Sequence, residues 1–316
     1  MTAPIVRSQV DNSRMELARA VLRVRLSQML INERLKAKAF KVPVHLALGH
    51  EAIAVAVSAA MADGDSLYLT HRNIHYNIAR AASLAAEVAE LRLDPAGLAG
   101  GALGSMNMNN PARGIAYTSS ILGNSLCVAA GAALAETVLD SGAVPFVITG
   151  DGALEEGVFY ESLELAASVA APMVVVAENN GWSLATRIEE RRCPIRLDRL
   201  AAAFDLPYRR LAGNDVAAYA AELAGLRRLS QEKRRPVVVE AEVSTLGDWL
   251  MPHPDFPGGK HINYHHGAAP EVSPSDWPVI REDDGDPVFA LGHRFDPDWL
   301  RSQARDLLAA LEGELA

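Results

Sequence analysis

The sequence predicts an α/β fold with a mostly parallel central sheet and helices on both faces, and three observations carry that prediction. Two apolar runs, Phe146-Val-Ile148 and Met173-Val-Val-Val-Ala177, are short, continuous and rich in β-branched residues, as strands buried on both faces are. Between them, Glu156 to Ala170 places Val158, Phe159, Leu163, Leu165, Ala166 and Val169 at helical spacing, so the stretch reads as strand, turn, helix, strand. The composition agrees: 49% hydrophobic and 22% charged residues in a chain of 316, with few aromatics, suit Ala-, Val- and Leu-rich helices on a parallel sheet. A βαβ unit is right-handed and brings both strand ends to one edge of the sheet, where open α/β proteins bind ligands.

Taken in order, Met15 to Phe40 spaces Leu17, Val21, Leu22, Leu26, Met29 and Leu30 as the apolar stripe of a long scaffold helix. Gly49 to Met61 reads as a small-residue helix, followed by a turn at Asp63-Gly64-Asp65 and a short strand, Leu67-Tyr-Leu69. His71 and Arg72 therefore stand at another strand end, where a guanidinium can grip a phosphate oxygen; a surface salt bridge and a helix cap account for the same residues. Ala86 to Met106 is glycine-rich. Tyr117 to Gly123 precedes a helix, Asn124 to Leu139, whose many small residues imply close contact with another helix or subunit. Later, Gly213-Asn-Asp215 opens a helix with a capping residue and Val237-Val-Val-Glu240 is a further buried strand. Within residues 246–295, the stretch 246–279 is rich in Pro and Gly and holds His253, His261, His265 and His266; it is too irregular for core, and a surface loop or a zinc site with untidy ligand spacing are the plain readings. Asp296 to Leu315 is an amphipathic helix. The division is thus 1–245, 246–295 and 296–316, one structural domain overall.

Thirty basic residues against 39 acidic ones give a net charge of -9 with no long basic run, which argues against a nucleic-acid surface. Cys127 and Cys193 lie far apart without metal or redox spacing and read as packing residues in a reducing compartment. The opening residues lack the apolar core of a signal peptide, and no apolar stretch reaches membrane length; the expectation is a cytoplasmic protein away from the membrane.

The two strand ends of the central unit carry the chemistry. Gly150 and Gly152 let the backbone turn tightly beside Asp151, and the following helix points unpaired N–H groups at the same place, which suits phosphate. The Asp151 carboxylate, the Asn180 amide oxygen and a loop carbonyl are hard oxygen ligands that, with two phosphate oxygens and a water, complete the octahedron Mg²⁺ prefers. Either half alone reads as a glycine turn or a helix start. Both together, each ending a strand, with 26 residues between GDG and NN, point to a metal–diphosphate edge.

That spacing resembles the thiamin diphosphate signature, and ENNGW followed by SLAT looks like the alpha subunit of the decarboxylating component of 2-oxo acid dehydrogenase complexes. The resemblance implies the thiamin diphosphate-binding fold. It implies Asp151, Asn180 and the Trp182 carbonyl as Mg²⁺ ligands, the backbone of Gly150, Gly152 and Ala153 against the diphosphate, and His71 and Arg72 as further contacts. Upstream, GHEA resembles the family's GQEA; the loop holding Ser119, Ser120 and Leu122 corresponds to the one that receives the aminopyrimidine. The likeness runs from Met15 to Thr245, with departures at Ile74, where the family has His and His75 follows one place later, and at Asn107, again where the family has His.

After Thr245 the match ends, and INYHHGAAP is instead similar to the histidine-glycine loop of transketolases, which puts His265 and His266 over the cofactor and substrate. The resemblance implies that this chain is the diphosphate-binding half only. The glutamate that activates the aminopyrimidine then comes from a beta subunit in an α2β2 assembly. The expected function is decarboxylation of a 2-oxo acid with acyl transfer, the histidines His71, His75, His265 and His266 steering protons. The alternatives are the N-terminal half of a split transketolase-like enzyme passing a two-carbon ketol unit, and a non-catalytic regulatory subunit.

Overall fold

The computed structural model describes residues 3–247 and 249–316, with side chains from residue 12 onward. The chain runs α1 (Ala3–Lys36), α2 (Glu51–Ala60), β1 (Leu67–Leu69), α3 (Ile74–Arg80), α4 (Leu84–Leu91), β2 (Ile115–Thr118), α5 (Asn124–Leu139) and β3 (Phe146–Gly150). It continues through α6 (Gly157–Ser168), β4 (Met173–Asn179), the short β5 (Trp182–Ser183) and β6 (Thr186–Arg187), α7 (Ile188–Arg191), α8 (Leu197–Ala203) and β7 (Tyr208–Leu211). Last come α9 (Val216–Lys233), β8 (Pro236–Glu242), the hairpin β9 (Trp249–His253) and β10 (Phe256–Ile262), α10 (Pro287–Leu291) and α11 (Pro297–Glu314).

Six strands form one sheet in the order β2-β1-β3-β4-β8-β7, and every pairing is parallel. The central strands read as apolar runs because both of their faces are covered. Phe146, Ile148, Val174 and Val176 enter one core with α1, α2 and α9, whereas Val147, Met173, Val175 and Ala177 enter the other with α5 and α6. Val147 faces Val175, and Val175 faces Val238, so β-branched side chains stack across three neighbouring strands.

Chain connections leave β1 toward β2 on one side and β3 toward β4 on the other. The crevice between the C-terminal ends of β1 and β3 is thus the switch point of the sheet, the place where such sheets take ligands.

A buried ion triad ties the chain's two ends to α2. Arg25 on α1 meets Glu51 (Nε to Oε1, 2.6 Å) and Asp286 (Nη2 to Oδ1, 2.9 Å), and all three side chains are fully buried. Glu51 Oε2 in turn accepts the Gly49 N–H at 2.8 Å, fixing the turn before α2.

Three features differ from the sequence expectation. The stretch before α5 holds an edge strand, β2, whose four residues are too few to show a pattern. The Pro- and Gly-rich segment contains the hairpin β9–β10, largely exposed, whose pairing comes from backbone groups rather than an apolar face. Cys127 and Cys193 are exposed rather than packed: one lies on the outer face of α5, the other in the loop after α7. No helix among the described residues is long and apolar enough to cross a membrane.

Candidate active site

One cavity of about 360 Å³ opens at the switch point. Its walls are Thr70 to Arg72 after β1, Gly150 to Ala153 after β3, and Asn180 to Leu184 after β4, closed by His45 and His50 before α2, Ser120 and Leu122 before α5, and Asn263 to His265 after the hairpin.

Asp151 begins a 3₁₀ turn, Asp151–Glu155, so that α6 starts six residues later than a helix set directly on the glycine turn. Burial pushes the Asp151 carboxyl up, against the Arg191 guanidinium (2.7 Å from Oδ2) and the backbone N–H of Asn180, which both favour the anion. Arg191 and Arg192 also bind Glu155, at 2.6 and 2.8 Å, closing the β5–α7 segment over the turn. Gly152 suits that closure: a Cβ there would lie 2.9 Å from Ser183 Oγ, which would have to turn away.

Asn180 accepts the Trp182 N–H at its Oδ1 (2.9 Å) and donates from Nδ2 to Thr245 Oγ1 (2.9 Å). Arg187 stacks its guanidinium 5.1 Å from the centre of the Trp182 ring, holding that loop. Arg72 is clamped by carbonyls: Nη1 donates to Leu46 O and Nη2 to His265 O at 3.1 Å. The clamp joins the turn before α2, the end of β1 and the loop after β10.

Imidazoles gather beside that arginine. The His45 ring lies 5.0 Å from both His71 and His265 and 5.6 Å from His266, and His265 and His266 are 5.3 Å apart. Burial and the Arg72 charge push His71 and His265 down to about 4, and His45, most deeply placed, to about 2. These three rings are neutral at pH 7, each able to donate or accept one hydrogen bond. His266 is exposed and sits at the rim beside the cavity rather than in its wall.

His75 is placed elsewhere. It is fully buried beneath the cavity floor, its Nε2 3.1 Å from Glu178 Oε1. Glu178 also meets His50 Nδ1 at 3.1 Å and accepts the Tyr76 hydroxyl at 2.8 Å. Burial alone would raise the Glu178 carboxyl, yet these donors hold it well below the usual carboxylate range. Ser120 and Leu122 line the cavity, whereas Ser119 is buried and turned to Asn124 and the Ile121 N–H.

Sequence reasoning does not single out His45, His50, Glu178, Thr245 or Glu90. Their partners are distant in the chain: His50 meets Glu178 and Thr245 across separations of 128 and 195 residues. Glu178, standing directly before the NN pair, and His50, inside the GHEA turn, offered the only local signal. Glu90 explains the glycine-rich stretch. Its carboxylate accepts the N–H groups of Ala99, Gly101, Leu103 and Gly104 at 2.8 to 3.1 Å, and the glycines let the backbone curl around it.

The donor set at Asp151, Asn180 and Trp182 is made of oxygen atoms alone, the chemistry of Mg²⁺ rather than of a thiophilic metal. Asp151 Oδ1 has no guanidinium on it, and the space beside Gly150 is open, with no atom within 4 Å of where its Cβ would stand.

Comparison with known proteins follows the same segments. Residues 18–245 match the family described as Dehydrogenase E1 component. The chain is 39% identical over 176 residues to the alpha subunit of the acetoin:2,6-dichlorophenolindophenol oxidoreductase of Bacillus subtilis, covering 55% of this chain and 53% of that one. The Cupriavidus necator protein of the same name is 32% identical over 200 residues, covering 63% and 60%. The alpha subunit of the pyruvate dehydrogenase E1 component of Rhizobium meliloti is 27% identical over 196 residues, covering 62% and 56%. The matched stretch thus spans a little over half the length of these relatives. Among solved structures, a Pichia stipitis transketolase superposes with a TM-score of 0.57 at 16% identity, covering 94% of this chain and 46% of that one. The likeness extends the shared fold through the segment after Thr245.

Proposed function

The chain belongs to the dehydrogenase E1 component family, and from that premise we propose that it is the alpha subunit of a thiamin diphosphate-dependent enzyme of the acetoin or pyruvate dehydrogenase type. The observation that carries the reading is the pairing of Asp151 with Asn180 across the ends of β3 and β4, in a cavity that also holds Arg72. Asp151, Asn180 and the Trp182 carbonyl would hold Mg²⁺, and Arg72 with the backbone from Gly150 to Ala153 would meet the diphosphate. Bound there, thiamin diphosphate supplies an electron sink for cleavage beside a substrate carbonyl.

The chain's own part is to bind, orient and move protons. His71 and His265, neutral at pH 7, face the cavity and can donate to a developing alkoxide or return a proton to carbon, with His266 at the rim. His75 would act only through Glu178. Among the described residues lining the cavity the carboxylates are Asp151 and Glu178, and both Glu178 oxygens are taken by His50, His75 and Tyr76. Neither is free to activate an aminopyrimidine. This supports a glutamate delivered by a beta subunit; the α2β2 assembly and the cytoplasmic location belong to the same proposal without an observation of their own.

A second reading, ketol transfer of the transketolase kind, is favoured by the four imidazoles gathered beside Arg72, which suit a hydroxylated substrate. Reconstitution with the beta-like partner separates the two. Pyruvate or acetoin with an artificial electron acceptor should turn over; turnover of ketose phosphates with an aldose acceptor alone, lost in His266→Ala, would replace the first reading by the second.

A further inference from the structure

We propose that Thr245 and His50 are positioning residues, a hydrogen-bonded relay that fixes the Asn180 side-chain amide against the buried Glu178 carboxylate. The inference rests on the reading of Asn180 as a metal ligand.

The orientation of the Asn180 amide, where the relay begins, follows from one fixed donor. The Trp182 backbone N–H can only donate, and it lies 2.9 Å from Asn180 Oδ1, so the other end of that amide is the NH₂ group. That group donates to Thr245 Oγ1 at 2.9 Å. A hydroxyl accepting there keeps its own proton to give, and His50 Nε2 stands 2.8 Å away. In the relay the hydroxyl gives that proton to His50 Nε2, which places the ring proton on Nδ1, 3.1 Å from Glu178 Oε2. His75 and Tyr76 hold the other Glu178 oxygen, at 3.1 and 2.8 Å. Three successive donors thus point one way, from the Asn180 amide to the carboxylate.

The surroundings favour this arrangement. A reversed amide would face the Trp182 N–H with its own N–H and lose that hydrogen bond, and the relay beyond it is dry: His50, Thr245 and Glu178 are 2%, 3% and 7% exposed. The fold builds the contact deliberately at Gly49. That residue has φ +97°, and a Cβ on it would lie 1.8 Å from the Ser244 carbonyl oxygen, so only glycine lets the strand leaving β8 pass close enough for Thr245 to reach His50. The Leu246 N–H then donates to Leu48 O at 2.7 Å, and Arg25 locks Glu51 next to His50. Apolar residues of the same shape would fill this space without desolvating a hydroxyl and an imidazole. The packing alone does not call for the polar chain; the amide at its end does. With the amide fixed, Oδ1 is the only atom of Asn180 that can be offered to a metal, its second lone pair unused by Trp182.

The test uses the full chain with thiamin diphosphate and Mn²⁺, followed by calorimetry and by the Mn²⁺ electron paramagnetic resonance signal. Thr245→Val keeps the shape and loses the hydroxyl; Thr245→Ser keeps the hydroxyl. The expected result is a fivefold or greater loss of Mn²⁺ affinity in Thr245→Val and recovery to within twofold in Thr245→Ser, with the thermal midpoint of Thr245→Ser equal to that of the wild type. Nitrogen-15 spectra of histidine-labelled wild-type chain should show His50 with the proton on Nδ1. Wild-type affinity in Thr245→Val, or a His50 proton on Nε2, overturns the relay. Asn180→Ala distinguishes the premise: a loss there with none in Thr245→Val sinks the relay alone, while no loss in either sinks the metal-ligand reading and the relay with it.

Discussion

Arg191 and Asp151 form an ion pair, Nη2 2.7 Å from Oδ2, in which a guanidinium from α7 reaches back across the turn that follows β3. The pair favours the anion of a carboxyl group that burial pushes up. Asp151 is also the only anionic side chain among the assigned Mg²⁺ ligands. Asp151→Ala should therefore lower metal-dependent cofactor affinity tenfold or more, since losing a charged partner costs on the order of 1.5–3 kcal/mol. Calorimetry that returns wild-type affinity for the variant rejects the metal assignment.

The purified chain, without a partner, should bind thiamin diphosphate weakly and turn nothing over. The cavity wall lacks a free glutamate among the described residues, and Leu122 and Leu184 at its mouth are 47% and 58% exposed. Steady-state assays of the lone chain showing robust turnover would contradict the two-chain site.

Glu87 on α4 gives the fold a pH dependence of its own. Among the described residues neither carboxyl oxygen has a partner, and burial, opposed by Arg23 and aided by Glu90, pushes its pKa from 4.5 up to about 8. The folded state holds the proton that the unfolded chain releases, so this contribution is complete below about pH 4.5 and is lost as pH rises through 8. Between pH 5 and pH 9 the loss should be roughly 2–4 kcal/mol. Glu87→Gln should flatten that slope in urea titrations; an unchanged slope would show the group to be solvated.

Glu90→Ala should release the loop it gathers. Four backbone donors lose a charged acceptor at once, at about 2–4 kcal/mol in stability. Limited proteolysis should cut between Ala96 and Met106 in the variant and not in the wild type. Equal resistance would mean that the glycines hold their curl unaided.

Arg25→Met should cost about 3–5 kcal/mol, because Glu51 and Asp286 would face each other in the core without a counter-charge. Its thermal midpoint is the measurement. A small shift would imply that one acid takes up a proton on folding, which a pH series on the variant would reveal.

The parts of the molecule that could be read from sequence are those whose cause is local. β3 and β4 announce themselves because burial on both faces leaves no polar position in Phe146–Ile148 or Met173–Ala177. Asp151 and Asn180 then follow as strand ends. What could not be read depends on meetings between distant segments. Nothing near His45 says that His71 and His265 will surround it, and nothing near Thr245 says that Gly49 will admit it to His50. His75 illustrates the same limit. Its place one residue beyond Ile74 suggests a substitute for the missing family histidine, yet the first turn of α3 aims it at Glu178 under the cavity floor. Cys127 looks like core in a run of small residues, but on α5 those residues cover more than one face of the helix.

The Arg72 clamp also sets an order of events during synthesis. Its guanidinium needs the carbonyls of both Leu46 and His265, so the arm that would greet a diphosphate cannot be aimed until the ribosome has released the loop after β10. Strands β1, β3 and β4 can pair long before that moment. A nascent chain stopped between Glu242 and Tyr264 would hold the sheet edge and the Gly150 to Ala153 backbone but an arginine still lacking its second carbonyl, so the charged part of the grip is completed last.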